Sequence, residues 1–156
     1  MKRIVKKYDH RFTPPMWGLK LGRGMSRKIR FHKSCIYTLP GDDQQDWNKL
    51  FGVSHLSGVH KHSYRFGWRY SPLHGFIQIA GYVYQGGTRH QFYFTELLVE
   101  RDYDFEIRQS GPNVQFVING QVGLEILGKL PLIGWKLGPY FGGNLPAPHK
   151  MQIIIK

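Results

Sequence analysis

The chain has 156 residues, with 22 Lys and Arg against 10 Asp and Glu for a formal charge of +12, and 41% apolar residues. That length suits one domain rather than two independent cores, and the apolar fraction excludes a wholly disordered chain. No window approaches 18 consecutive apolar residues, which excludes a membrane-spanning helix, and the single cysteine, Cys35, excludes a disulfide-stapled mini-domain.

The charge is unevenly placed. Residues 1–35 hold 11 Lys and Arg against Asp9 alone, a net +10, and the remainder carries only +2. The opening MKRIVKKYDHRFTPP has the positive start of a signal peptide without an apolar segment behind it. The expectation is therefore synthesis in the cytoplasm, with incorporation into a virion as one destination. Helical spacing is nearly absent along the chain, and period-two alternation recurs between Gly, Pro, Asn and Asp.

KRIVKKY and MWGLKLG are the first candidate strands. Ile4, Val5, Tyr8, Phe12, Trp17 and Leu19 interrupt the charges with side chains that pack, which argues against a disordered basic tail. Lys2, Arg3, Lys6, Lys7, Arg27, Lys28 and Arg30 form the expected contact set for an anionic partner, an acidic protein surface or a nucleic-acid backbone. RKIRFHKSCIYTL reads as one strand with Phe31, Lys33, Cys35 and Tyr37 on one face, and Cys35 as a small buried thiol.

In PGDDQQDW, Asp42, Asp43 and Asp46 supply hard oxygens that calcium accepts. Turn formation before Trp47 explains them adequately, so no cofactor is expected, with calcium left as the one metal possible. WNKLFGVSHL is a strand, and His55, His60 and His62 follow at loop spacing without the Cys or carboxylates that complete a zinc set.

SYRFGWRYS places Tyr64, Phe66, Trp68 and Tyr70 on one face and Arg65, Gly67 and Arg69 on the other. GFIQIAGYVY splits likewise into Ile77, Ile79, Gly81 and Val83 against Phe76, Gln78, Ala80, Tyr82 and Tyr84. Ser71–Gly75 is the hairpin between them. If the first sets fill the core, Arg65, Arg69, Gln78, Tyr82 and Tyr84 gather on the opposite face. Arginine forks grip carboxylates and tyrosine rings offer a stacking platform, a mixture suited to an acidic sugar.

YDFEIRQ turns Tyr103, Phe105 and Ile107 inward and leaves Asp102, Asp104 and Glu106 outward as partners for basic side chains. Ser110–Asn113 and Asn119-Gly120 mark two more hairpins around NVQFVI, the second with the signature of a type I′ turn. The Gly-rich Tyr140–Asn144 lacks the Lys-Ser/Thr of a phosphate loop, and MQIIIK reads as a last strand that pairs with KRIVKKY.

DYDFEIRQSGPNVQFVING, SYRFGWRYSPLHGFIQIAGYVY and GPYFGGNLPAPHKMQIIIK together resemble laminin-G-like and concanavalin A-like domains across residues 45–156. The resemblance implies a two-sheet antiparallel jelly roll whose curved inner face often binds glycans. Members include polysaccharide lyases, glucanases, lectins, adhesion modules and virion proteins. Lyase-like members carry an Arg, a Gln-x-His pair and a Tyr. Here the corresponding strand reads Gln78-Ile79-Ala80, without the His, and the Glu-x-Asp-x-x-Glu of a glucanase is absent.

The expectation is an all-β, concanavalin A-like jelly-roll domain over 1–156, with 1–35 as a basic flank contributing edge or terminal strands. Its expected role is non-catalytic glycan recognition or a structural, virion-associated task, with no assigned catalytic or metal residue. Homo-oligomer or virion assembly are the accompanying partner expectations. The alternatives are a polysaccharide lyase or glycoside hydrolase of the same fold, and a basic nucleic-acid-associated protein.

Overall fold

Alternation between apolar and polar side chains becomes thirteen strands in a computed structural model that describes residues 1–156. In chain order they are β1 (Lys2–Val5), β2 (Phe12–Thr13), β3 (Gly18–Leu21), β4 (Met25–Phe31), β5 (Asn48–His55), β6 (Ser63–Ser71) and β7 (Phe76–Gln85). They continue as β8 (Thr88–Leu97), β9 (Asp102–Ser110), β10 (Asn113–Ile118), β11 (Gln121–Leu127), β12 (Ile133–Leu137) and β13 (Met151–Ile155). Two 3-10 turns, Lys33–Cys35 and Gly41–Gln45, are the only helical pieces.

The strands form two antiparallel sheets. One has seven strands in the order β11-β10-β9-β4-β13-β1-β2, the other six in the order β3-β12-β5-β6-β7-β8. The three expected hairpins join β6 to β7, β9 to β10 and β10 to β11. Asn119 and Gly120 both take positive φ, 51° and 78°, as a type I′ turn requires. The last strand pairs with the first, Lys2 opposite Ile154 and Val5 opposite Met151, so the chain closes on its own beginning.

Between the sheets lies a core of aromatic and branched residues. Phe66 is at its centre, with ring centroids 4.8 Å from Phe105, 5.0 Å from Phe116 and 5.3 Å from Phe51. The first two meet edge to face, the arrangement that aligns ring edges with the negative π faces. Trp68, Ile77, Ile79, Val83 and Ile107, which alternation assigns inward, are fully buried around them, together with Ile153.

Three features depart from the sequence expectation. The strand of RKIRFHKS ends at Phe31 rather than running to Tyr37. The His32 ring accepts the Ser34 amide at 3.1 Å, and the Cys35 amide returns to the His32 carbonyl at 2.8 Å, closing a 3-10 turn. Phe31, Cys35 and Tyr37 are still buried, but Lys33 is exposed and shares no strand face with them.

The basic flank is also more deeply embedded than an edge. β2 and β3 are edges, β1 lies beside β13, and β4 is central, between β13 and β9. Val5, Phe12, Ile29 and Phe31 supply the reason, because each is buried between the sheets. Third, β8, β11 and β12 join the sheets although alternation is weak in them. The β7–β8 ladder slips between Ile79 and Ala80, and the β10–β11 ladder between Phe116 and Val117.

Removal of the central ring is expected to be severe. Phe66→Ala should destabilise the domain by about 3–5 kcal/mol, read as a lowered denaturant midpoint with an unchanged slope.

Candidate functional site

The outward face of the six-stranded sheet carries the polar set. Arg65 lies opposite Tyr82, Gly67 opposite Ala80 and Arg69 opposite Gln78, so these side chains share one surface across β6 and β7. An irregularity in β5 adds to it. Between Lys49 and Gly52 the chain advances three residues while β6 advances two, from Gly67 to Arg65. Leu50 and Phe51 consequently both enter the core, and Lys49 emerges on the polar face.

Gly52 makes the next contact possible. A Cβ there would overlap the Tyr64 carbonyl and lie 2.6 Å from the Arg65 Cα, so only glycine lets Arg65 cross β5 closely. Arg65 Nη2 donates to the Gly138 carbonyl at 3.0 Å. Its Nε has no protein partner, nor do the hydroxyls of Ser54 and Ser63, which face each other on the same side of β5 and β6. Buried polar atoms are rarely left unbonded, and a cluster of three concentrates attention here.

The sequence set divides into two groups. Arg65, Tyr82 and Tyr84 line a cavity of about 360 Å³ together with Lys49, His60 and Tyr140. Lys49 Nζ sits 4.8 Å above the Tyr82 ring and donates to the Gly142 carbonyl at 2.9 Å. The Tyr82 and Tyr84 rings meet edge to face at 6.0 Å, and His60 lies 5.3 Å from Tyr84. Arg89 stands opposite Tyr84 on β8.

Arg69 and Gln78 instead belong to a closed chain of hydrogen bonds. Arg69 Nε donates to Gln78 Oε1 at 2.9 Å, and Gln78 Nε2 donates to Glu96 Oε1 at 3.1 Å. His74 Nδ1 donates to the same carboxylate at 2.6 Å, and Arg69 Nη1 reaches the Gln45 carbonyl at 2.6 Å. Trp47 lies under the Arg69 guanidinium at 4.2 Å. Arg69 is thus held by one side-chain and one main-chain partner, whereas Arg65 has the Gly138 carbonyl alone.

Crowding of cations in a partly dry cavity depresses their basicity. Burial, with Arg65 adding repulsion, lowers the Lys49 amine to about 8 despite the opposing pull of Asp46. Burial also lowers Arg65 to about 10, against the attraction of the Tyr82 and Tyr84 hydroxyls. The Tyr82 phenol is raised, first by burial and then by Tyr84.

On the opposite sheet three cations are paired. Lys28 meets Asp104 at 3.0 Å, Arg30 meets Asp102 at 2.6 Å and Arg108 meets Glu106 at 3.4 Å, all involving strands β4 and β9 of the opposite sheet. The outward acids of β9 therefore partner basic side chains as expected. On the polar face of the six-stranded sheet, by contrast, Lys49, Arg65, Arg69 and Arg89 enter no ion pair.

The anionic-partner set is dispersed. Lys2, Lys6 and Lys7 are exposed, with Lys7 over the Tyr8 ring at 4.7 Å, and Lys28 and Arg30 are neutralised by Asp104 and Asp102. Arg3 lies opposite buried Ile153 and Arg27 opposite buried Phe105, so both start from the inner side of their sheet. Arg3 is bonded to the carbonyls of Pro14 and Pro15. No three His, Cys, Asp or Glu side chains gather as a metal group. Asp42 and Asp43 lie in the Gly41–Gln45 turn, Asp46 accepts the Asn144 amide at 3.3 Å, and His55 pairs with His62 rather than His60. The Cys35 thiol is buried and its pKa is pushed upward by that burial, which leaves it a packing residue.

Sequence periodicity missed Lys49, His60 as a cavity residue, Arg89 and Tyr140. The β5 bulge hides the first, and the loops that deliver His60 and Tyr140 have no period at all.

No family model matches the chain, and no curated protein matches its sequence. Solved structures do share its architecture. The alginate lyase AlyC3 superposes with a TM-score of 0.58 at 10% identity, over 99% of this chain and 67% of that one. An endo-acting O-glycanase of the human gut microbiota, described in connection with mucin breakdown, gives 0.60 at 10% identity over 99% and 76%. The laminarinase catalytic domain of Thermotoga maritima gives 0.55 at 10% identity over 88% and 62%. Likeness at these identities concerns the scaffold alone. The chain has the concanavalin A-like jelly-roll fold, a two-sheet antiparallel sandwich shared with polysaccharide lyases and glycoside hydrolases.

Proposed function

We propose that the domain recognises an acidic glycan in the cavity of Lys49, Arg65, Tyr82 and Tyr84, without transforming it. The observation that carries this reading is that Lys49 and Arg65 line one cavity with Tyr82 and Tyr84 and have no carboxylate partner there. Lys28, Arg30 and Arg108 on the opposite sheet have carboxylate partners, and Lys49, Arg65 and Arg89 have none. Crowding unpaired cations onto a surface costs stability unless an anion offsets it. A sugar carboxylate fits the Arg65 fork, and the tyrosine rings offer apolar faces and hydroxyls to the ring that bears it.

Calorimetric titration with acidic oligosaccharides, beside neutral ones of equal length, tests the reading. Arg65→Ala should weaken binding about 10- to 100-fold, the cost of losing charge-assisted hydrogen bonds. Absence of binding to every acidic oligosaccharide would refute the assignment.

Affinity should also depend on pH with a defined sign. The Lys49 amine of the free protein titrates at about 8, so it is cationic below that value and neutral above it. Binding of an anion should fall as pH rises through 8, by roughly 5-fold for one partly screened pair. Lys49→Met should flatten this step while leaving the Arg65 contribution in place.

One observation favours a second reading. Lys49 and His60 share the cavity with Arg65 and Tyr84, which supplies proton acceptors that the Gln78-Ile79-Ala80 strand lacks. In β-elimination from a polyuronate, Arg65 would neutralise the carboxylate while an amine or imidazole takes the C5 proton. The C4–O bond then breaks as a C4–C5 double bond forms, and a tyrosine hydroxyl protonates the departing oxygen. Ultraviolet absorbance of unsaturated uronate in long incubations with alginate, glucuronan and pectin decides between the readings. Turnover that disappears in Lys49→Met would replace recognition by catalysis.

A further inference from the structure

A second surface lies beyond Arg65 on the same face. On β12, Trp135 stands opposite Ser54, and Ser54 stands opposite Ser63 on β6, the residue two before Arg65. Trp135 therefore shares the polar face. Trp17, which precedes β3, stacks on it with centroids 5.0 Å apart and planes inclined by only 11°. Trp17 is nevertheless 68% exposed, an unusual state for a large indole. Leu19 and Ile133 are also exposed, and the register Trp135 to Leu19 and Ile133 to Leu21 puts Leu19, Leu21 and Ile133 beside the indoles.

This apolar surface is continuous with the acidic-glycan cavity. A neighbouring cavity of about 500 Å³ is lined by Arg11, Pro15, Trp17, Leu137, Pro139 and two shared residues, Arg65 and Tyr140. Its wall is firmly tied. Tyr140 stacks on His10 at 5.3 Å, the Phe141 amide donates to the His10 carbonyl at 2.8 Å, and Tyr140 bridges to both Arg11 and Lys49. A Cβ on Gly138 would lie 2.6 Å from the Met16 carbonyl oxygen, so the segment before Trp17 passes directly against the end of β12. Arg11 supplies a further cation that enters no ion pair.

We propose that Trp17 and Trp135 form a second subsite, where a further ring of the same acidic polysaccharide stacks while Arg11 meets its carboxylate. The inference rests on the acidic-glycan reading and narrows it to a linear polyuronate. From β12 to β7 the polar face spans three strand spacings, about 14 Å, longer than one sugar ring. A cation lies in each cavity, which matches a charge repeated along the polymer rather than one acidic cap. The exposed Trp17 indole matches the C–H face of a pyranose, and such aromatic contacts need a flat partner rather than a charged one.

Titration of the full chain with oligogalacturonates and oligomannuronates, from disaccharide to hexasaccharide, tests this. The wild-type affinity should climb about 10-fold with length for at least one series. Trp17→Ala should abolish the climb yet leave disaccharide binding intact, and Trp17→Phe should restore most of it. A climb of equal size in wild type and Trp17→Ala overturns the second subsite while the Arg65 reading stands. A Trp17-dependent climb seen only with sulfated hexasaccharides overturns the polyuronate assignment. If no acidic oligosaccharide of any length binds, the first cavity's reading fails and this one falls with it. Because Trp17 is largely exposed, its loss should leave the denaturant midpoint nearly unchanged, and a large drop would mark a structural role instead.

Discussion

Leu50 and Phe51 are adjacent in sequence, and both are completely buried. A regular strand cannot put both into one core as here, because successive side chains point to opposite faces. The extra residue between Lys49 and Gly52 resolves the conflict, and its effect reaches the other side of the sheet. Lys49 is turned outward over Tyr82, and Gly52 falls opposite Arg65 where the guanidinium must pass. The packing demand of the core thus sets the chemistry of the polar face. Without that irregularity, Lys49 would point at the aromatic cluster and the cavity would hold one cation fewer.

The same physics separates residues that look alike in the sequence. Arg65 and Arg69 lie on one strand and one face, yet their surroundings differ. Arg69 is bonded to Gln78 and Gln45, lies over Trp47, and shares a network with Glu96. Such a side chain is held in one conformation and has few donors left. Arg65 has one carbonyl partner and an unbonded Nε, beside two unbonded serines. A site is better sought where polar capacity is left over than where polar residues are merely abundant.

Much of the architecture was legible because β6, β7, β9 and β10 alternate cleanly and are separated by strong turns. Tyr64, Phe66, Trp68, Ile77, Ile79, Val83, Phe105 and Phe116 are all in the core that alternation assigns them to. Legibility failed where the period broke. The bulge concealed Lys49, the slip in the β7–β8 ladder put both Tyr93 and Glu96 opposite outward residues of β7, and the His32 cap ended β4 early. Arg65, Tyr82 and Tyr84 were readable from one hairpin, since their juxtaposition is local. His60, Tyr140 and Trp135 come from distant segments, and no local pattern reports a contact made only by folding.

The basic flank changes meaning in this light. Counted along the chain, it is a block of +10 suited to an acidic partner. In space, Lys28 and Arg30 are answered by Asp104 and Asp102 from the later, nearly neutral part of the chain, and Arg3 is bonded to proline carbonyls. Exposed pairs of this kind add little stability, but they cancel the local field on that sheet. The flank's contribution to the polar face comes instead from His10, Arg11, Pro15 and Trp17, which wall the groove against Tyr140 and Trp135. Of the flank's lysines, Lys2 and Lys28 lie on the seven-stranded sheet, and Pro15 and Trp17 help to shape the groove of the other.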